Sequence, residues 1–188
     1  MQEVKILFTG SMGAGKTAAI SALSEAPTLR TEAPCSDRHR PDKLTTTVGL
    51  DYGEITIAPD CKVRLFGTPG QARYRYLWDI LATGALGVLI LVDHSEADSS
   101  QQLEGFLDAF ADILGSTPGV VGITHADLRP ERPFDAYLDV IQRRGLSIPL
   151  LQVDARERED VLALVDAVLA MAESGLYKEA AAAGGMYS

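Results

Sequence analysis

The string Gly10-Ser11-Met12-Gly13-Ala14-Gly15-Lys16-Thr17 holds the residue types that grip a polyphosphate. Its glycines take backbone conformations closed to other residues, so successive N–H groups can converge on one anion. The start of a following helix adds the positive end of its dipole. Lys16 contributes a mobile cation for the outer phosphates, and Thr17 a hydroxyl where Mg2+ would sit. Gly13, Ala14, Gly15, Lys16, Thr17 and Ala18 are therefore the expected phosphate contacts. The spacing is that of a phosphate-binding loop, G-x-x-x-x-G-K-[ST]. Its context fits, with apolar residues 4–9 reading as a buried strand and residues 18–23 as a helix.

The elements that must position this loop follow from the apolar patterning. Residues 50–57 and 62–66 read as a hairpin across the Pro59-Asp60 turn. Residues 85–92 form a continuous apolar run suited to a strand buried on both faces, and 120–123 and 148–153 are further buried strands. Leu103, Phe106, Leu107, Phe110, Ile113 and Leu114 recur at helical spacing, 134–144 is helical, and Val161 to Met171 line a last helix. Residues 26–46 are polar, broken by Pro27, Pro34 and Pro41, and read as a long loop. The pattern predicts an α/β fold: a mostly parallel six-stranded sheet with one antiparallel edge hairpin and helices on both faces. Ligands in such sheets bind beyond the carboxyl ends of the strands. The phosphate loop, Gly67-Thr68-Pro69-Gly70-Gln71, Thr124-His125-Ala126-Asp127 and Asp154-Ala155-Arg156 all follow strands and should meet on one rim.

With 188 residues the chain fits one domain, expected over 1–175, with an alanine- and glycine-rich tail at 176–188. A net charge of −9 argues against non-specific nucleic-acid binding and against an anionic membrane surface. No apolar run reaches transmembrane length, and neither a secretory signal nor a lipidation motif is present, so no direct membrane anchor is expected. Cys35 and Cys61 do not make a disulfide framework, which points to a reducing cytoplasm. Glu157, Glu159 and Asp160 complement the dipole of the last helix.

Together these strings resemble the Ras-superfamily small GTPases over residues 3 to about 172. Within them the chain is most similar to bacterial MglA-type proteins, the branch often encoded beside roadblock/LC7-domain proteins. Thr45-Thr46-Thr47-Val48-Gly49-Leu50-Asp51-Tyr52-Gly53 and Phe66-Gly67-Thr68-Pro69-Gly70-Gln71 carry this narrower likeness. The resemblance implies a P-loop NTPase G domain that binds GTP or GDP with Mg2+, hydrolyses GTP slowly, and acts on a roadblock/LC7 partner. It implies that Thr47 joins Thr17 on Mg2+, that the Gly70 N–H meets the γ-phosphate, and that Gln71 orients the attacking water beside Lys16. Arg73 is the preferred internal arginine finger over Arg75, Arg38 and Arg40. Thr124, His125 and Asp127 stand at the base-reading motif, where Asp127 accepts from guanine N1–H and the 2-amino group. Asp154, Ala155 and Arg156 form the last motif, with the Ala155 N–H toward guanine O6.

The chain departs from the superfamily in two places. Gly67 stands where an aspartate holds Mg2+ through water; Asp51, the nearest spare carboxylate, lies in a strand and is not expected to replace it. Thr124 and His125 stand where the superfamily has asparagine and lysine, and His125 is expected to lie along the base. These departures leave two functions open, a hydrolysing switch and a nucleotide-holding scaffold. A phosphotransferase has less behind it, because neither a lid-like arginine cluster nor an acceptor site is visible. Tyr74, Tyr76 and Trp78 are expected to give a partner surface beside residues 67–71.

Overall fold

The computed structural model describes residues 2–35 and 46–175, with side chains at 2–29, 49–71 and 73–175. Its sheet is built outward from two apolar strands, β1 (Gln2–Gly10) and β5 (Gly87–Asp93), which pair in parallel. Both send alternate side chains to opposite faces. Ile6, Phe8, Leu89 and Leu91 enter one core, and Leu7, Val88, Ile90 and Val92 enter another. The first core is closed by α1 (Lys16–Leu23) and α6 (Arg158–Ser174). The second is closed by α2 (Arg75–Ala82), α3 (Ser99–Ala109), the short α4 (Ala111–Leu114) and α5 (Asp135–Arg143).

The full strand order is β2-β3-β4-β1-β5-β6-β7. The remaining strands are β2 (Leu29–Cys35), β3 (Thr46–Ala58), β4 (Cys61–Gly67), β6 (Gly119–Thr124) and β7 (Leu150–Gln152). The α/β class, the parallel majority, the hairpin and the two helical layers are as the patterning predicts. The strand count is not: the sheet has seven strands, because residues 29–35 pair antiparallel with β3 instead of lying in a loop. Only one side of an edge strand must pair, so Pro34 is tolerated there and charged neighbours hide the apolar signal. The β3–β4 hairpin carries a register shift between Thr56 and Ala58. A regular hairpin closed at Ala58–Cys61 would face Asp51 with Thr68; the bulge sets Gly67 there instead. Arg38 and Arg40, and the tail at 176–188, lie outside the described residues.

The aromatics of the Gly67–Trp78 region do not share one face. Trp78 is buried, stacked on Phe106 and Phe110 at 5.0 and 5.7 Å, and its Nε1–H donates to the Pro69 carbonyl at 2.9 Å. Tyr74 is buried as well, which leaves Tyr76, with Ile80 one turn on, as the exposed pair of α2.

Candidate functional site

Two cavities open at the carboxyl ends of the parallel strands and share Gly13, Gly15 and Ala18 of the phosphate loop region. The larger, about 660 Å³, adds Thr124, His125, Asp127, Asp154, Ala155 and Arg156. The smaller, about 350 Å³, adds Lys16, Thr17, Asp51, Thr68 and Gly70, with Met12 at its mouth. The four strand-end segments therefore do meet on one rim, and the joined cavities form a concave site with polar groups at both ends.

Gly15 caps α1 at φ 92°, a left-handed conformation suited to glycine, and a Cβ there would lie 2.8 Å from that of Ala155. Gly70 lies flat on the loop: a Cβ at this position would stand 2.6 Å from the Met12 nitrogen. Lys16 folds back over the loop and donates to the Gly10 and Ser11 carbonyls at 2.8 and 2.6 Å. Burial pushes its pKa down to about 8, against the opposing pull of the Asp51 carboxylate. Ala14, expected as a contact, is wholly buried.

Asp51 is the candidate site residue that the sequence reading set aside. Its Oδ2 accepts a hydrogen bond from Thr17 Oγ1 at 2.5 Å, and its strand partner is Gly67. A Cβ built on Gly67 would come within 3.1 Å of Asp51 Cβ and 3.4 Å of Oδ2. The carboxylate absent at Gly67 is thus supplied from the neighbouring strand into the same space. Hydroxyl and carboxylate oxygens side by side, next to a phosphate-gripping loop, are the hard donors that Mg2+ takes. The signal for this lay in the register, not in any local motif.

At the other end, Thr124 takes over a tethering task. It is buried, and its Oγ1 lies 3.1 Å from the Ala14 carbonyl and 3.2 Å from that of Val92, pinning the phosphate loop to β5 and β6. Thr124→Val keeps the shape but removes the donor; the expected cost is about 1–2 kcal/mol of unfolding free energy by urea titration. Asp127 is exposed on the cavity wall. Asp154 receives Arg156 through Nε at 2.9 Å and Nη2 at 2.6 Å, and that guanidinium holds the carboxyl down at about 2.

Two expected residues with described side chains are not gathered into the cavities, and a third is not described there. Gln71 is exposed, its Nε2 3.9 Å from Met12 Sδ. Arg73 is exposed with its guanidinium 4.8 Å over the Tyr74 ring. Thr47 pairs with Pro34 through the β2–β3 ladder, and its side chain lies outside the described residues.

Comparison with known proteins gives one family and several distant relatives. A family model described as "conserved hypothetical ATP binding protein" matches residues 8–175. The Ras-related protein Rab-18-B of Danio rerio is 31% identical over 108 residues, 56% of this chain and 47% of that protein. The Ras-related protein Rab-1C of Dictyostelium discoideum is 26% identical over 163 residues, 82% of this chain and 73% of that protein. The GTP-binding protein ypt2 of Schizosaccharomyces pombe is 30% identical over 99 residues, covering 51% of this chain and 44% of its own length. The chain thus spans about half of two of these relatives and about three quarters of the third. The Ras-superfamily resemblance read from the motifs is supported by them at low identity.

Proposed function

Because the chain belongs to the family of conserved hypothetical ATP-binding proteins, we propose that it is a nucleotide-dependent molecular switch that binds GTP and GDP and slowly hydrolyses GTP. The observation that carries this reading is the joining of the two cavities at the phosphate loop, with Lys16, Thr17 and Asp51 at one end and His125 and Asp127 at the other. Asp127 favours guanine, since adenine offers no N1–H and 2-amino pair to a carboxylate. The family is described as ATP-binding while two relatives are named Ras-related, so the base is the first thing to test.

Lys16 would exchange its two carbonyl partners for the outer phosphates. Thr17, Asp51 and Thr47 are the residues that would hold Mg2+, which neutralises the charge gathering on those phosphates. Gln71 would turn inward to orient water, and Arg73 would leave the Tyr74 ring to act as an internal finger. Thr45 to Gly53 and Phe66 to Gln71 support placement in the MglA-like branch, and with it a roadblock/LC7 partner in the cytoplasm. Tyr76 and Ile80, 54% and 64% exposed, are apolar groups suited to that contact. The scaffold reading drew its motive from the missing carboxylate at Gly67 and from the altered base-reading motif at Thr124 and His125; Asp51 in the Gly67 space answers the first of these.

Nucleotide released from purified, denatured protein tests the assignment, and GDP is expected. ADP would overturn the guanine reading, and a protein that binds neither GTP nor GDP by calorimetry would overturn the function. Gln71→Leu should then slow single-turnover phosphate release by roughly a hundredfold with GTP affinity kept, as loss of a positioned reactant does. An unchanged rate favours the scaffold.

A further inference from the structure

The end of β5 and the loop after β6 hold a contact that the proposed mechanism leaves unused. His125 has φ 55°, the one non-glycine residue with positive φ among the described residues. Such a backbone is costly for a residue with a Cβ and persists where its surroundings hold it. Here His125 Nδ1 lies 3.2 Å from Asp93 Oδ1 and 3.4 Å from Thr124 Oγ1. Asp93 ends β5 and is 8% exposed; the same Oδ1 accepts from the Ser95 N–H at 2.9 Å and the Ser95 hydroxyl at 2.6 Å. The acceptor is therefore itself held in place before it meets the ring.

An ionised carboxylate only accepts, so Nδ1 carries the hydrogen and a neutral ring keeps its lone pair on Nε2. Among the described residues Nε2 has no hydrogen-bond partner, and the side chain, 40% exposed, lines the larger cavity. The left-handed turn at His125 also opens the short 3-10 segment Ala126–Leu128, which carries Asp127 to the cavity wall. The contact thus holds the ring beside the turn that presents the base-reading carboxylate.

We propose that Asp93 is a positioning residue for base recognition: it fixes the tautomer and plane of His125, so that an imidazole wall replaces the lysine stem found in the superfamily. The proposal rests on the larger cavity being the base site. It predicts that Asp93 acts on the nucleoside end of the ligand and not on the phosphate end, although Asp93 itself is almost fully covered.

The test is a double-mutant cycle of Asp93→Ala and His125→Asn, with GDP and base-free pyrophosphate as probes in Mg2+. Asparagine tolerates the left-handed backbone at 125, so the turn survives while the ring is lost. Each single variant should weaken GDP about fivefold, in line with loss of one oriented ring contact. The double variant should be no weaker than His125→Asn, and pyrophosphate affinity should not change. The side-chain ¹⁵N spectrum of His125 should show one Nδ1–H tautomer in the wild type and a mixture in Asp93→Ala, which leaves no acceptor at that position. Losses that multiply in the double variant would overturn the proposal, as would an unchanged tautomer with unchanged GDP affinity. Equal loss of GDP and pyrophosphate, with a lowered melting temperature, would reduce Asp93 to a structural role and overturn it too. Wild-type protein that binds pyrophosphate as tightly as GDP would instead overturn the base-site reading, and this proposal along with it.

Discussion

Asp51→Asn should lower GDP and GTP affinity in Mg2+ by roughly 10- to 100-fold, the range for residues that orient a metal's ligands, and leave affinity in chelator nearly unchanged. Asparagine still accepts from Thr17 Oγ1, so the hydrogen bond that Asp51 makes at 2.5 Å need not be lost, while the charge is. The stricter check is to move the carboxylate. Gly67→Asp alone should bind worse, because its Cβ would stand 3.0 Å from Ile20 Cδ1 and 3.1 Å from Asp51 Cβ. In an Asp51→Gly background the second of those clashes disappears, and Gly67→Asp should restore a measurable share of the Mg2+ dependence. Isothermal titration with and without EDTA reads both results. A swap that restores nothing, together with an Asp51→Asn protein that responds to Mg2+ like the wild type, removes Asp51 from the metal site.

The second large effect belongs to Lys16. Its pKa in the free protein is lowered to about 8 by burial, while phosphates favour the ammonium form. Nucleotide binding should therefore raise the pKa and take up a proton above pH 8. With a bound value near that of ordinary lysine, uptake should be about 0.7 proton per GDP at pH 8.5 and about 0.1 at pH 7. Affinity should accordingly fall as pH rises from 8 toward 10, approaching tenfold per unit. The sign is opposite for folding without ligand: the folded lysine loses its proton before the unfolded one does, so stability rises over the same interval. Lys16→Met should cost on the order of a hundredfold in affinity, the worth of a charged hydrogen bond, and abolish the buffer-dependent heat. Proton uptake that persists in Lys16→Met would assign the shift to another group.

How much of this was legible in the sequence depends on how local each signal is. The phosphate loop was legible because eight consecutive residues hold its chemistry, and the rim because each polar string follows an apolar strand. Strand β2 was not, since edge pairing leaves no two-sided apolar mark and Pro34 argues against a strand at all. Asp51 was hidden by a single bulge between Thr56 and Ala58, which shifts every partner above it by one residue. The Asp93–His125 contact joins the end of β5 to the loop after β6 and exists only in the folded register. A polar chain buried under α3 and α5 was hidden in the same way: His94 Nδ1, Tyr137 Oη and Ser99 Oγ are linked at 2.8 Å each, from three separate elements. Trp78 was readable in part, because Tyr74 and Trp78 lie one helical turn apart and share the inward face that Tyr76 does not.

Met12 has a consequence for handling. It is 74% exposed at the mouth of the smaller cavity, with its thioether beside the Gln71 amide. Peroxide would convert that soft sulfur into a sulfoxide, a strong dipole next to the group proposed to aim water. Aged and fresh preparations of one sequence should then differ in turnover, and methionine sulfoxide reductase should bring the older sample back.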